Sequence, residues 1–78
     1  MTTKAEIREW LAKAPDCATH MLVMCDTFDH DDYPVYFNNV AQAQKRADKP
    51  DLMERFMECY RLDMDHEQQL AQSRARNF

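Results

Sequence analysis

Seventy-eight residues with no glycine and a formal net charge of −4 make one domain, residues 1–78, with a modest core and little room for a deep, water-excluding cleft. No apolar run is long enough to span a bilayer, and the stretch from Met1 to Glu6 lacks the apolar segment of a secretory signal. Three widely spaced cysteines, Cys17, Cys25 and Cys59, fit neither a disulfide framework nor a CxxC zinc pattern, which points to reduced thiols in a cytosol.

The charge is unevenly placed. Residues 14–44 contain five acids (Asp16, Asp26, Asp29, Asp31 and Asp32) and no Lys or Arg, while the two flanking segments together come close to neutrality. A field of this kind disfavours nucleic acid as a direct partner and favours a basic protein surface.

In chain order, Thr3 and Glu6 have capping-box spacing, and Ile7, Trp10, Leu11 and Ala14 recur at helical intervals before Pro15. This predicts a first helix. The apolar run His20 to Cys25 reads as a central strand covered on both faces. Tyr33-Pro34-Val35-Tyr36-Phe37 reads as a second strand, placed at an edge because Pro34 offers no ladder donor. The acidic residues 26–32 then form the hairpin connection, with any left-handed position in it falling to Asp or Asn.

Asn38 or Asn39 caps a second helix through Val40, Ala41, Ala43 and Ala47, which ends near Pro50. Residues 51–62 fit two patterns. Leu52, Met53, Phe56, Met57 and Tyr60 make a helical stripe, whereas Phe56, Glu58, Tyr60 and Leu62 alternate as a strand does. A strand over the second half is preferred, since a two-stranded hairpin alone is marginal. Asp63 or Asp65 caps a last helix whose inner face is Leu70, Ala71, Ala75 and Phe78, with Arg74 and Arg76 near its C-terminus. The fold class is therefore α+β, in the order α-β-β-α-β-α, with three helices and a small antiparallel or mixed sheet of strand order 2-1-3. The alternative is a β-hairpin plus helices, with 51–75 all helical.

The residues that could carry chemistry cluster at Cys25 to Asp32, with His20 upstream. Carboxylates and an imidazole could hold a divalent cation, but the spacing departs from the EF-hand pattern and lacks its glycine. No pattern suggests an activated Ser or Cys nucleophile, or a His held in catalytic geometry, so the chain is read as a non-enzyme without cofactor or metal. The expected partner-binding residues are Asp26, Asp29, Asp31 and Asp32, the flanking Tyr33 and Tyr36, and also Glu54, Glu58 and Asp63. Carboxylates spaced along a loop imitate a phosphate backbone and dock on Lys/Arg surfaces. A solvated surface run kept for solubility is the plain alternative.

The string Thr19-His20-Met21-Leu22-Val23-Met24-Cys25-Asp26-Thr27-Phe28-Asp29-His30-Asp31-Asp32-Tyr33-Pro34-Val35-Tyr36 resembles a group of small phage and prophage proteins. These carry an aliphatic strand followed by Cys-Asp-Thr-Phe, an acidic turn and Tyr-Pro-Val-Tyr. The Met53–Leu62 stretch and the polar C-terminal helix resemble them too, whereas Asn38-Asn39 and the Ala-rich second helix depart from the group. By size, charge and origin, such proteins are similar to anti-CRISPR inhibitors, several of which occupy the DNA-binding surface of type I surveillance complexes. The resemblance implies a host-cytoplasmic inhibitor, monomeric or weakly homodimeric. Its partner would be a type I CRISPR effector (Cascade) subunit, bound without direct nucleic-acid or membrane contact. A small metal-binding or accessory phage protein using the Asp26–Asp32 loop is the alternative.

Overall fold

The computed structural model describes residues 3–78. Its elements are α1 (Lys4–Ala12), β1 (His20–Asp26), β2 (Asp32–Phe37), α2 (Val40–Asp48), β3 (Glu54–Arg61) and α3 (His66–Leu70). The sheet order is β2-β1-β3, with both outer strands antiparallel to β1. The α+β class, the element order and the 2-1-3 sheet are thus as expected. Because β2 and β3 are each antiparallel to β1, they run parallel to each other, and α2 carries the chain between them across the central strand.

The helix starts follow from the capping residues. The Thr3 side chain accepts the Glu6 N–H at 3.2 Å, and Asn39 Oδ1 accepts from Ala41 and Gln42 at 2.8 and 3.3 Å. Asp65 Oδ1 accepts from Glu67 at 3.0 Å. Each replaces a partner that the first helical turn cannot supply.

β1 is covered on both faces. Met21 and Val23 belong to a cluster with Ile7, Leu11, Tyr60, Leu70 and Ala75. Leu22 and Met24 belong to a second cluster with Ala43 and Cys59. Helices α1 and α3 therefore cover one face and α2 the other, with Ala43 small enough to bring α2 close. Burying each large apolar side chain of β1 contributes about 1.5–3 kcal/mol.

The double pattern of residues 51–62 has a structural cause. The register of β1 with β3 shifts between Val23 and Met24, where Val23 pairs with Glu58 but Met24 with Phe56. Met57 is the extra residue of a β-bulge. It packs toward the α1 side, while Phe56 packs toward α2. The bulge breaks strict alternation and leaves apolar residues at helix-like intervals. The segment is a strand, and the all-helical alternative for 51–75 does not hold.

The C-terminal part differs from the expected long helix. α3 has five residues, and Ala71, Ala75 and Phe78 do not extend its inner face. The chain instead runs alongside β3. Cys59 N–H donates to Ala75 O at 2.9 Å, Asn77 N–H donates to Cys59 O at 3.0 Å, and a parallel bridge joins Cys59 to Arg76. Arg74 and Arg76 therefore lie beyond the helix, and the Arg76 guanidinium sits 4.7 Å from the centre of the Phe56 ring. The outer edge of β3 needs hydrogen-bond partners more than one polar helix needs further turns.

Gln69 continues that edge. Its Oε1 accepts the Arg61 N–H at 2.7 Å and its Nε2 donates to Arg61 O at 2.8 Å, so a side-chain amide stands where a neighbouring strand would. The side chain is almost fully buried. The outer edge of β2 is blunted differently. Asp26 N–H donates to Asp31 O, and alternation from that pair along the register leaves Pro34 with its missing N–H directed outward.

Replacing Gln69 with Leu leaves both Arg61 backbone groups without their partner, behind an apolar side chain. Gln69→Leu should lower the unfolding free energy by about 1–3 kcal/mol, read from urea unfolding curves. A midpoint equal to that of the wild type would contradict the pseudo-strand role.

Candidate functional site

The acidic turn between β1 and β2 is built around Asp26. Its Oδ1 accepts the N–H groups of Phe28 at 2.8 Å and Asp29 at 3.4 Å, an Asx turn. Its backbone N–H donates to Asp31 O at 2.8 Å, and its carbonyl accepts His30 N–H at 2.6 Å. Asp26 is thus the organiser of the turn and is committed to it. The left-handed position falls on His30, with φ 61°, and not on an Asp or Asn. The His30 N–H bond to Asp26 offsets the cost of a Cβ in that region. Asp29 and Asp31 are exposed, and Asp32 is half-buried. Asp32 faces Cys25, whose thiol is raised first by burial and then by hydrogen bonding to Asp32 and by its charge.

A second loop meets this turn. Thr27 N–H donates to Met53 O at 2.9 Å, which places residues 51–53 beside residues 26–31. Met53 takes φ 67°, the other left-handed position among the described residues. Three large apolar side chains stand out at this end: Phe28 is 73% exposed, Leu52 94% and Met53 48%. Asp51 is exposed beside them. Sequence patterning missed this trio, because Phe28 lies inside the acidic run and Leu52 and Met53 read as part of a core stripe. The cue that was available is that Asp29 follows Phe28 and Asp51 precedes Leu52.

The structure engages four residues of the expected binding set in internal bonds. Glu54 accepts from Arg46 Nε at 2.8 Å and Nη2 at 2.6 Å, and from Asp51 N–H at 3.1 Å. The Tyr33 hydroxyl also donates to it. Its side chain is only 9% exposed. Glu58 Oε2 accepts from Ala75 N–H at 2.9 Å and the Tyr60 hydroxyl at 3.3 Å, and lies 3.6 Å from Lys4 Nζ. The Tyr36 hydroxyl donates to Trp10 O at 2.6 Å. Glu54, Glu58, Tyr33 and Tyr36 therefore hold the helices and the C-terminal segment on the sheet. Tyr33 and Tyr36 lie on opposite faces of β2, Glu54 and Glu58 on opposite faces of β3, and both faces of the sheet are covered. Asp63 pairs with Arg61 at 2.9 Å, at the opposite end of β3 from the turn.

Asp26, Asp29, Asp31 and Asp32 are brought together at one end of the sheet. Among the described residues no group of three or more His, Cys, Asp or Glu side chains converges to hold a metal ion, and no helix is long and apolar enough to cross a membrane. No protein-family model, curated protein or solved structure matches the chain. The function is therefore argued from the chemistry of this end.

Glu54 is the titratable group most affected. The Arg46 hydrogen bonds, opposed by burial and aided by Tyr33 and the Asp51 N–H, bring it from 4.5 down to about 2. A carboxylate depressed in the folded state contributes stability that is complete above its unfolded value and is lost as pH falls toward 2. The contribution at neutral pH is about 3 kcal/mol. Glu54→Gln should cost a similar amount at pH 7 and flatten the fall in stability between about pH 5 and 2, measured by chemical unfolding across that range.

The phenols move the other way. Burial, then the hydrogen bond to and charge of Glu54, push Tyr33 up to about 12. Burial also raises Tyr36 and Tyr60. These are all the tyrosines in the chain. Absorbance titration of the folded protein should show the tyrosinate transition displaced above its position in the denatured chain; a native transition that coincides with the denatured one would contradict the internal hydroxyl bonds.

Proposed function

We propose that the chain is a non-enzymatic binding protein that docks its acidic end on a Lys/Arg-rich, nucleic-acid-holding surface of a protein and blocks that surface. The single observation that carries the reading is the ordered acidic turn: Asp29 and Asp31 are exposed on a turn closed by Asp26, in a stretch of 31 positions (14–44) free of Lys and Arg. Carboxylates presented on fixed backbone need little ordering on contact, and they steer association with a basic site. The partner suggested by the Cys25–Tyr36 resemblance is a subunit of a type I CRISPR effector, with the chain acting as an anti-CRISPR-like inhibitor in the host bacterial cytoplasm.

Neutralising Asp29, Asp31 and Asp32 to Asn leaves the Asp26 turn in place. The triple variant should keep the wild-type circular dichroism spectrum and lose about tenfold or more in affinity for a purified type I effector. Wild-type affinity should itself weaken steeply as salt rises. Full inhibition of target-DNA binding by the triple variant would sink the mechanism.

A further inference from the structure

Carboxylates alone do not account for this end of the molecule. Isolated exposed apolar side chains are ordinary on a protein surface, but Phe28, Leu52 and Met53 are concentrated on two loops that the Thr27–Met53 backbone bond holds side by side. Around them stand the exposed Asp29, Asp31 and Asp51, with Asp51 3.4 Å from Arg46 and the exposed Arg55 opposite Cys25, a charged rim in which carboxylates outnumber cations. An apolar centre with a charged rim is the anatomy of a protein interface.

We infer that Phe28 and Leu52, with Met53 beside them, form an apolar anchor that enters a hydrophobic socket ringed by Lys or Arg on a partner protein. The anchor belongs to the docking end described above and rests on the reading that this end binds a protein. Charge complementarity selects the occupant. A second copy of the chain would bring a like-charged acidic rim against this one, and a bilayer surface carrying anionic lipid repels it. A basic protein surface satisfies both rim and centre.

Division of labour follows. The aspartates raise the association rate and give it salt dependence, while the apolar anchor slows dissociation. Both loops are tied by internal hydrogen bonds, which limits the conformational freedom lost on contact. A pure phosphate mimic has no use for a phenyl ring and a leucine 73% and 94% exposed at its centre.

The test titrates the isotopically labelled full chain with three probes while amide shifts are followed. The probes are an amphipathic Lys/Leu peptide, polylysine of matched charge, and vesicles of phosphatidylcholine with phosphatidylserine. The peptide should shift Thr27 to Asp29 and Leu52 to Met53, and bind about tenfold more tightly than polylysine. Phe28→Ser with Leu52→Ser should erase that tenfold preference and leave polylysine affinity unchanged; both sites are exposed, and an otherwise unchanged amide spectrum confirms the fold. Equal affinity for the two peptides, preferential vesicle binding, or concentration-dependent shifts at Phe28 and Leu52 without any probe would each overturn the anchor.

The same double variant, tested on a type I effector, separates the two levels. No binding of wild-type protein to the effector, with the Lys/Leu preference present, removes that effector as partner and keeps the anchor. Effector binding with an unchanged dissociation rate in the double variant removes the anchor and keeps the charge-based reading.

Discussion

The ion pair between Arg46 and Glu54 is the contact on which the acidic end depends. Glu54 receives two guanidinium N–H bonds from Arg46, one from Nε and one from Nη2, together with the Tyr33 hydroxyl and the Asp51 N–H. One carboxylate thereby joins β2, β3, α2 and the loop between the last two. Bidentate, charge-assisted bonds of this kind fix orientation as well as distance. Arg46 remains partly open to solvent, with its side chain 28% exposed, so its desolvation is incomplete and the pair stabilises where a fully buried one would approach neutrality. The position of Glu54 opposite Asp26 in the ladder means that the clamp and the acidic turn share one end of the sheet.

Glu58 plays the matching part on the other face. It ties the C-terminal segment through Ala75 N–H and faces Lys4 at the start of α1. The two glutamates of β3 are each satisfied by a different layer, and the bulge at Met57 lets a single strand serve both. The consequence for electrostatics is that β3 supplies no free carboxylate near the turn. The aspartates have no Lys or Arg in their own segment, and the cation that β3 brings beside them is the exposed Arg55, opposite Cys25.

The elements that were legible in the sequence are those set by local rules. Thr3, Asn39 and Asp65 mark their helices because a side-chain oxygen must meet an orphan N–H within two or three residues. Pro34 marks an edge because a missing donor is tolerated only there. The order 2-1-3 follows from β1 being apolar on both faces. Contacts at long sequence separation were not legible. No periodicity states that Gln69 imitates a strand beside Arg61, or that the tail pairs with Cys59. The site was half legible for the same reason. Asp26, Asp29, Asp31 and Asp32 lie together in the chain, but Leu52 and Met53 join them only through the hydrogen bond to Thr27. Glu54 and Glu58 looked like surface acids because the residues that satisfy them come from α2, α1 and the tail.

A chain without glycine must reverse direction with side chains that resist it. Both left-handed positions among the described residues, His30 and Met53, belong to the two loops at the acidic end. Each costs about 1–2 kcal/mol relative to an unstrained backbone, and such conformations persist where neighbouring bonds over-determine them. Here those bonds are visible. His30 N–H is held by Asp26, and Met53 O receives Thr27 N–H. The next residue after Met53 is Glu54, gripped by Arg46. The clamp therefore does more than hold a helix to a sheet. By fixing Glu54 it fixes the backbone on which Leu52 and Met53 stand, and by fixing that loop it supports the turn that carries Phe28 and the aspartates. Strain concentrated at one end, opposed by hydrogen bonds that converge there, keeps that surface in one shape before any partner arrives.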